Sequence, residues 1–116
     1  FDLAAEIAQL HREEAWRRGD HNAITLVKEP DLRLVLVALK DGGRLPRHQT
    51  AARIAIQTLD GAVRVQLPDR TVDLPRGHLL TLEANIPHEV EGRGESAFLL
   101  TVSWQGKAPP DAPGSA

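Results

Sequence analysis

The chain contains no cysteine, which excludes disulfides, thiolate metal sites and thiol catalysis at one stroke. That absence suits a reducing, cytoplasmic setting. Aromatic residues are few, only Phe1, Trp16, Phe98 and Trp104, so aliphatic side chains must carry any core. Neither sign of charge dominates. The net charge is −2 with acidic and basic residues interspersed, and the clustered basic footprint of a nucleic-acid surface is missing. No apolar run approaches the ~20 residues that span a bilayer, so no membrane partner is expected. A nucleophile elbow, a phosphate-cradling glycine loop and a helical histidine pair are likewise absent from the 116 residues. The chain opens at Phe1 rather than methionine, which leaves room for a preceding segment.

What is present fits one domain. Asp2 is placed to cap a helix, and Leu3, Ile7 and Leu10 share one face at three- and four-residue spacing. Arg17 and Arg18 suit a helix C-terminus, so the helix is predicted to end by Gly19. His11 falls on its polar side and His21 in the following turn, where both are expected to be solvated.

From Asn22 onward the pattern is that of short strands. Segments 23–28 and 32–40 are rich in Val, Leu and Ile and turn at Pro30-Asp31. Asp60-Gly61 predicts a tight hairpin between 53–59 and 62–67, because both residues tolerate positive φ. Further strands are expected at 71–74, 78–82, 89–91 and 97–104, the last two separated by Gly92-Arg93-Gly94. Regular short strands without a βαβ rhythm point to a barrel or sandwich. The proline-containing tail, 105–116, has little apolar bulk and is expected to be disordered.

Two histidines stand in a frame of glycines. Gly42 is followed after five residues by His48, with Thr50 and Ile54 beyond it and Gly61 closing the stretch. A second stretch runs from Gly77 through ten residues to His88, directly after Pro87, and fifteen residues, 62–76, separate the two. This layout resembles the two-part signature of the cupins, small β-barrels, over about Leu32 to Trp104.

The resemblance implies an all-β fold, an antiparallel double-stranded β-helix or jelly-roll barrel, with a short N-terminal α-helix. The helix, 1–20, would pack on a barrel at 21–104. Metal-binding cupins carry His, His and Glu on the first stretch and a third His on the second. Here those positions hold His48, Thr50, Ile54 and His88. Two imidazoles alone make a weak, poorly selective site, so no cofactor is firmly implied beyond a weakly bound divalent Ni, Zn, Fe or Mn. Glu89 is expected to face away from the pocket, since neighbours in a strand alternate sides. Asn85 stands where the family often has Gly and is a tolerable substitute, because Asn visits the left-handed region readily.

The implied pocket therefore gathers His48, Thr50 and His88 beside Ile54, suited to a small organic ligand. A metal-dependent dioxygenase or isomerase using His48 and His88, or a barrel filled by its own side chains, are the alternatives. A homodimer is also expected, from the resemblance and from the apolar strand 34–39, whose kind is often covered by a partner chain.

Overall fold

The architecture comes from a computed structural model that describes residues 1–106. The expected tail thus lies, from residue 107 on, outside the described residues. Two short helices, α1 (Leu3–Arg12) and α2 (Glu14–Arg18), precede seven strands. These are β1 (His21–Lys28), β2 (Leu32–Leu39), β3 (Arg44–His48), β4 (Arg53–Gln66), β5 (Thr71–Pro75), β6 (Leu79–Leu82) and β7 (His88–Ser103). Every pairing is antiparallel.

Two long strands organise the rest. β4 and β7 pair along their whole lengths, from Arg53 opposite Ser103 to Gln66 opposite Glu89. Each changes its second neighbour midway. β7 borders β2 through residues 96–103 and β3 through residues 88–91. β4 borders β6 through residues 54–57 and β5 through residues 62–66. Two half-sheets that share their central strands give the jelly-roll barrel.

The change of neighbour occurs where a hairpin at Asp60-Gly61 and a separation of strands at Gly92-Arg93-Gly94 were expected, and neither exists. Asp60-Gly61 and Gly92-Arg93-Gly94 lie inside continuous strands, facing one another across register shifts between β4 and β7. Gly61 has φ +62, and a Cβ there would run into the Glu95 carbonyl oxygen. Both segments bend the backbone, as their residue types require, but the bend is a bulge rather than a chain reversal. Across it, the buried side of β4 passes from Ile54, Ile56 and Thr58 to Val63 and Val65. The extra residue thus keeps both halves of the strand facing the core.

The barrel interior is aliphatic, built on Val35, Val37, Ile56, Val63, Val65, Val90, Phe98 and Leu100, all at most 1% exposed. A second, smaller cluster lies outside it. Leu10 of α1 meets Leu36 and Ala38 on the opposite face of β2, with Ile7 and Trp16 packed beside them. β2 is buried on both faces for this reason, and it runs between β1 and β7 rather than along an edge. The apolar 34–39 strand is therefore covered by the chain's own helix, which removes the argument from that strand for a partner subunit.

Asp2 caps α1 by accepting from the Ala5 N–H at 3.0 Å. The helical segment ends before Gly19 as expected, but it is broken into two at Glu13. The Asn22 amide donates to the Leu10 carbonyl and to Glu13 Oε1, both at 3.0 Å, and Glu13 is extended at φ −84, ψ 154. A buried side chain from β1 thus takes a carbonyl that another helical turn would have used. His11 is half-buried rather than fully solvated. It stacks on Trp16 with ring centroids 4.4 Å apart, and its Nε2 is buried. His21 opens β1 and pairs with Asp20 at 2.8 Å, which lowers the Asp20 pKa.

Candidate functional site

The two histidines of the glycine frame meet across neighbouring strands. His88 begins β7 and His48 ends β3, and they are direct cross-strand partners. Their rings are 5.9 Å apart, edge to face at 83°. Leu45 pairs with Val90 three residues before His48, while only two residues separate Val90 from His88. That one-residue mismatch is a bulge at Pro46-Arg47, and proline suits it because it has no N–H to give to the ladder. Without the bulge, Arg47 would take the inward position that His48 occupies.

His88 is 2% exposed. Its Nδ1 lies 3.0 Å from the Ile86 carbonyl oxygen. A carbonyl only accepts, so Nδ1 carries a proton, and in the neutral ring Nε2 is left as a bare acceptor. Burial lowers the His88 pKa, the Ile86 carbonyl opposes that shift, and His48 adds to the lowering. Nε2 of His88 and Nε2 of His48 are both buried without a hydrogen-bond partner. An unsatisfied buried polar atom costs roughly 1–3 kcal/mol. Ser96 Oγ and Trp104 Nε1 are also buried without a partner, and what sets the imidazole pair apart is that the two rings face one another at 5.9 Å beside a cavity that His88 lines.

The remaining site residues are less closely joined. Thr50 follows β3 and is half-buried, and its carbonyl accepts from the Asn85 N–H at 2.8 Å. Asn85 sits at φ +65, the left-handed conformation its place in the turn before Pro87 requires. Ile54 is 5% exposed and belongs to the aliphatic core, opposite Leu82 and Val102. A cavity of about 250 Å³ reaches His88 and is walled by Arg47, Gln66, Leu67, Pro68, Pro87 and Glu89. His48, Thr50 and Ile54 are not among its walls. Glu89 borders the same cavity as His88 and holds Arg44 at 3.2 Å.

Arg47 and Gln66 escaped the sequence reading. Gln66 stands at the end of a strand that pairs with β7 only in three dimensions, and Arg47 looks like one more surface charge. A second cavity of about 520 Å³ opens beside Trp104, between Ala52, Arg53, Glu83 and Ser103. Arg33 lies over the Trp104 ring at 5.2 Å, a cation–π contact.

The donor set does not fit a tightly held divalent ion. Among the described residues no group of three or more His, Asp or Glu side chains converges, and a threonine and an isoleucine fill the two middle positions of the motif.

Fold and site together define a small cupin-type barrel. The chain belongs to the family of AraC-like ligand binding domains, whose model matches residues 35–108. Its barrel is similar to solved structures at low identity. A conserved protein of unknown function from Streptococcus pyogenes is 23% identical with a TM-score of 0.71, over 76% of this chain and 77% of that one. A cupin superfamily protein from Desulfitobacterium hafniense is 18% identical with a TM-score of 0.72, over 76% and 82%. A cupin 2 conserved barrel domain protein from Leptotrichia buccalis is 25% identical with a TM-score of 0.70, over 74% of this chain and 42% of that one. No curated protein matches the chain.

Proposed function

We propose that this barrel is a binding module for a small organic molecule, taken up at the end of the barrel where β3, β4 and β7 meet. His88 lines the cavity there, His48 faces it from β3, Arg47 stands at the mouth, and we place Thr50 and Ile54 behind the two imidazoles. The observation that carries the reading is the pair of buried imidazole Nε2 atoms without partners, next to a cavity that His88 itself lines. Membership in a ligand-binding family supports it. Its wall sets polar and charged side chains beside apolar Leu67, Pro68 and Pro87, and convergent polar groups are what orient a small ligand in such a site.

The binding reading needs no metal. Neutral His88 offers a fixed acceptor at Nε2, Arg47 offers donors and positive charge, and Leu67, Pro68 and Pro87 supply the apolar part of the wall. The test is amide-detected NMR of the labelled protein against a library of small metabolites. Binding at this site shifts the amides of Arg47, Gln66 and His88 together. Shifts confined to residues around Trp104, or no shifts with any compound, would refute the assignment.

A further inference from the structure

Every polar side chain in the wall of the His88 cavity except two is already engaged. Gln66 donates from Nε2 to the Leu67 carbonyl at 3.1 Å and accepts from the Thr71 hydroxyl at 2.6 Å. Glu89 is balanced by Arg44. The two left over are Arg47, which makes no ion pair among the described residues, and His88 Nε2. They are chemically unlike. Arg47 is permanently charged and only donates, in a fork that matches a carboxylate. His88 Nε2, with Nδ1 committed to Ile86, only accepts. Glu89 is within the same wall, so a ligand's own cation would compete with Arg44 for it, whereas a ligand's anion meets no competitor at Arg47.

We propose that the cavity takes a small hydroxylated carboxylic acid, its carboxylate against Arg47 and a hydroxyl donating to His88 Nε2. This rests on the small-molecule reading above and adds the class of ligand. A plain fatty acid would leave Nε2 without a donor, and a neutral polyol would leave Arg47 without an anion. A fatty acid forgoes the hydrogen bond to the buried Nε2 and a polyol forgoes the ion pair with Arg47, so each loses one of the two contacts that the hydroxy acid makes. Nε2 is covered by its neighbours, so the hydroxyl reaches it by displacing them, and hydroxyl binding changes the surroundings of that nitrogen directly.

Three probes of equal chain length separate these contacts: gluconate, hexanoate and glucitol. Titration calorimetry on the intact chain is expected to show gluconate binding at least about tenfold more tightly than either of the others, the range of one charge-assisted hydrogen bond. Arg47 is exposed, so Arg47→Gln leaves the fold intact. That variant should bind gluconate about ten- to a hundredfold more weakly and lose the preference over glucitol, while the preference over hexanoate stays. In the unmutated protein, the ¹⁵N resonance of His88 Nε2 should move with gluconate and glucitol but not with hexanoate. Equal affinity for the three probes, or gluconate binding indifferent to Arg47→Gln, overturns the proposal. If gluconate fails while a neutral metabolite still shifts the amides of Arg47 and His88, the ligand class is wrong and the site stands. If no compound of any class shifts them, both fall.

Discussion

Thr50 and Ile54 occupy the two places where a metal-binding barrel of this kind would carry His and Glu, so restoring those residues tests whether the motif positions are carried over faithfully. The double variant Thr50→His, Ile54→Glu brings three imidazoles and one carboxylate toward the His48–His88 pair. The first change is mild because Thr50 is half-buried and its structural hydrogen bond is made by its backbone. The second is severe. Ile54 is 5% exposed in the aliphatic core, and losing that packing alone costs about 2–5 kcal/mol. An unpaired carboxylate in its place adds to this, against a total stability of ~5–15 kcal/mol for a domain. The metal-free variant is therefore expected to melt far below the parent. A complete ligand set changes that by mass action. Free metal at 1,000 times its Kd returns about 4 kcal/mol, which for a domain near this size is upwards of ~15 °C in Tm. Thermal melts with and without nickel, backed by calorimetry, read this directly. The parent's Tm should hardly move. A parent that already binds a divalent metal at submicromolar affinity would refute the reading of its site. A variant that folds but binds no better than the parent would show that residues 50 and 54 do not project toward the two imidazoles.

Two further expectations follow from other parts of the molecule. Gly61→Ala places a Cβ at φ +62 against the Glu95 carbonyl, so urea denaturation should show a loss of about 1–3 kcal/mol. An unchanged midpoint would mean the β4–β7 crossing is looser than its geometry. His88 has a lowered pKa when folded, so the unfolded chain takes up its proton first as pH falls. Its contribution is fully present above the unfolded value of ~6.5 and is lost as pH drops through that value toward the folded one. The urea midpoint should therefore fall between pH 7 and pH 5.5, and the fall should be smaller in His88→Gln. Equal slopes in parent and variant would place the titrating group elsewhere.

The barrel was legible because its signals are local. Asp2, the Leu3-Ile7-Leu10 stripe and the apolar runs at 23–28 and 32–40 each declare their element without reference to the rest of the chain. Asp60-Gly61 was read as a hairpin and Gly92-Arg93-Gly94 as a separation between strands, and each is a bend inside one strand. Positive φ at a glycine serves a hairpin and a bulge equally well, and only a distant strand decides between them. For Gly61 that strand is β7, where Glu95 crosses directly over it. The helix break at Glu13 was hidden for a similar reason, since the side chain that takes the Leu10 carbonyl belongs to Asn22 on the next element. β3 was not recognised as a strand from its sequence, Arg-Leu-Pro-Arg-His, because proline and three cationic or titratable side chains mask its period of two.

The site was half legible for a related reason. Glycine spacing located His48 and His88, and the fold pairs them. What spacing does not encode is which way a side chain faces after an irregular step. The bulge at Pro46-Arg47 moves His48 inward and leaves Arg47 at the rim of the His88 cavity. One irregularity thus sets the positions of two residues, the imidazole inside and the guanidinium at the mouth. A regular strand through 44–48 would exchange them, burying a charge that has no partner there and exposing the imidazole, at a cost of several kcal/mol for the charge alone. The proline that hides β3 from a sequence reading is therefore the residue whose bulge builds the site.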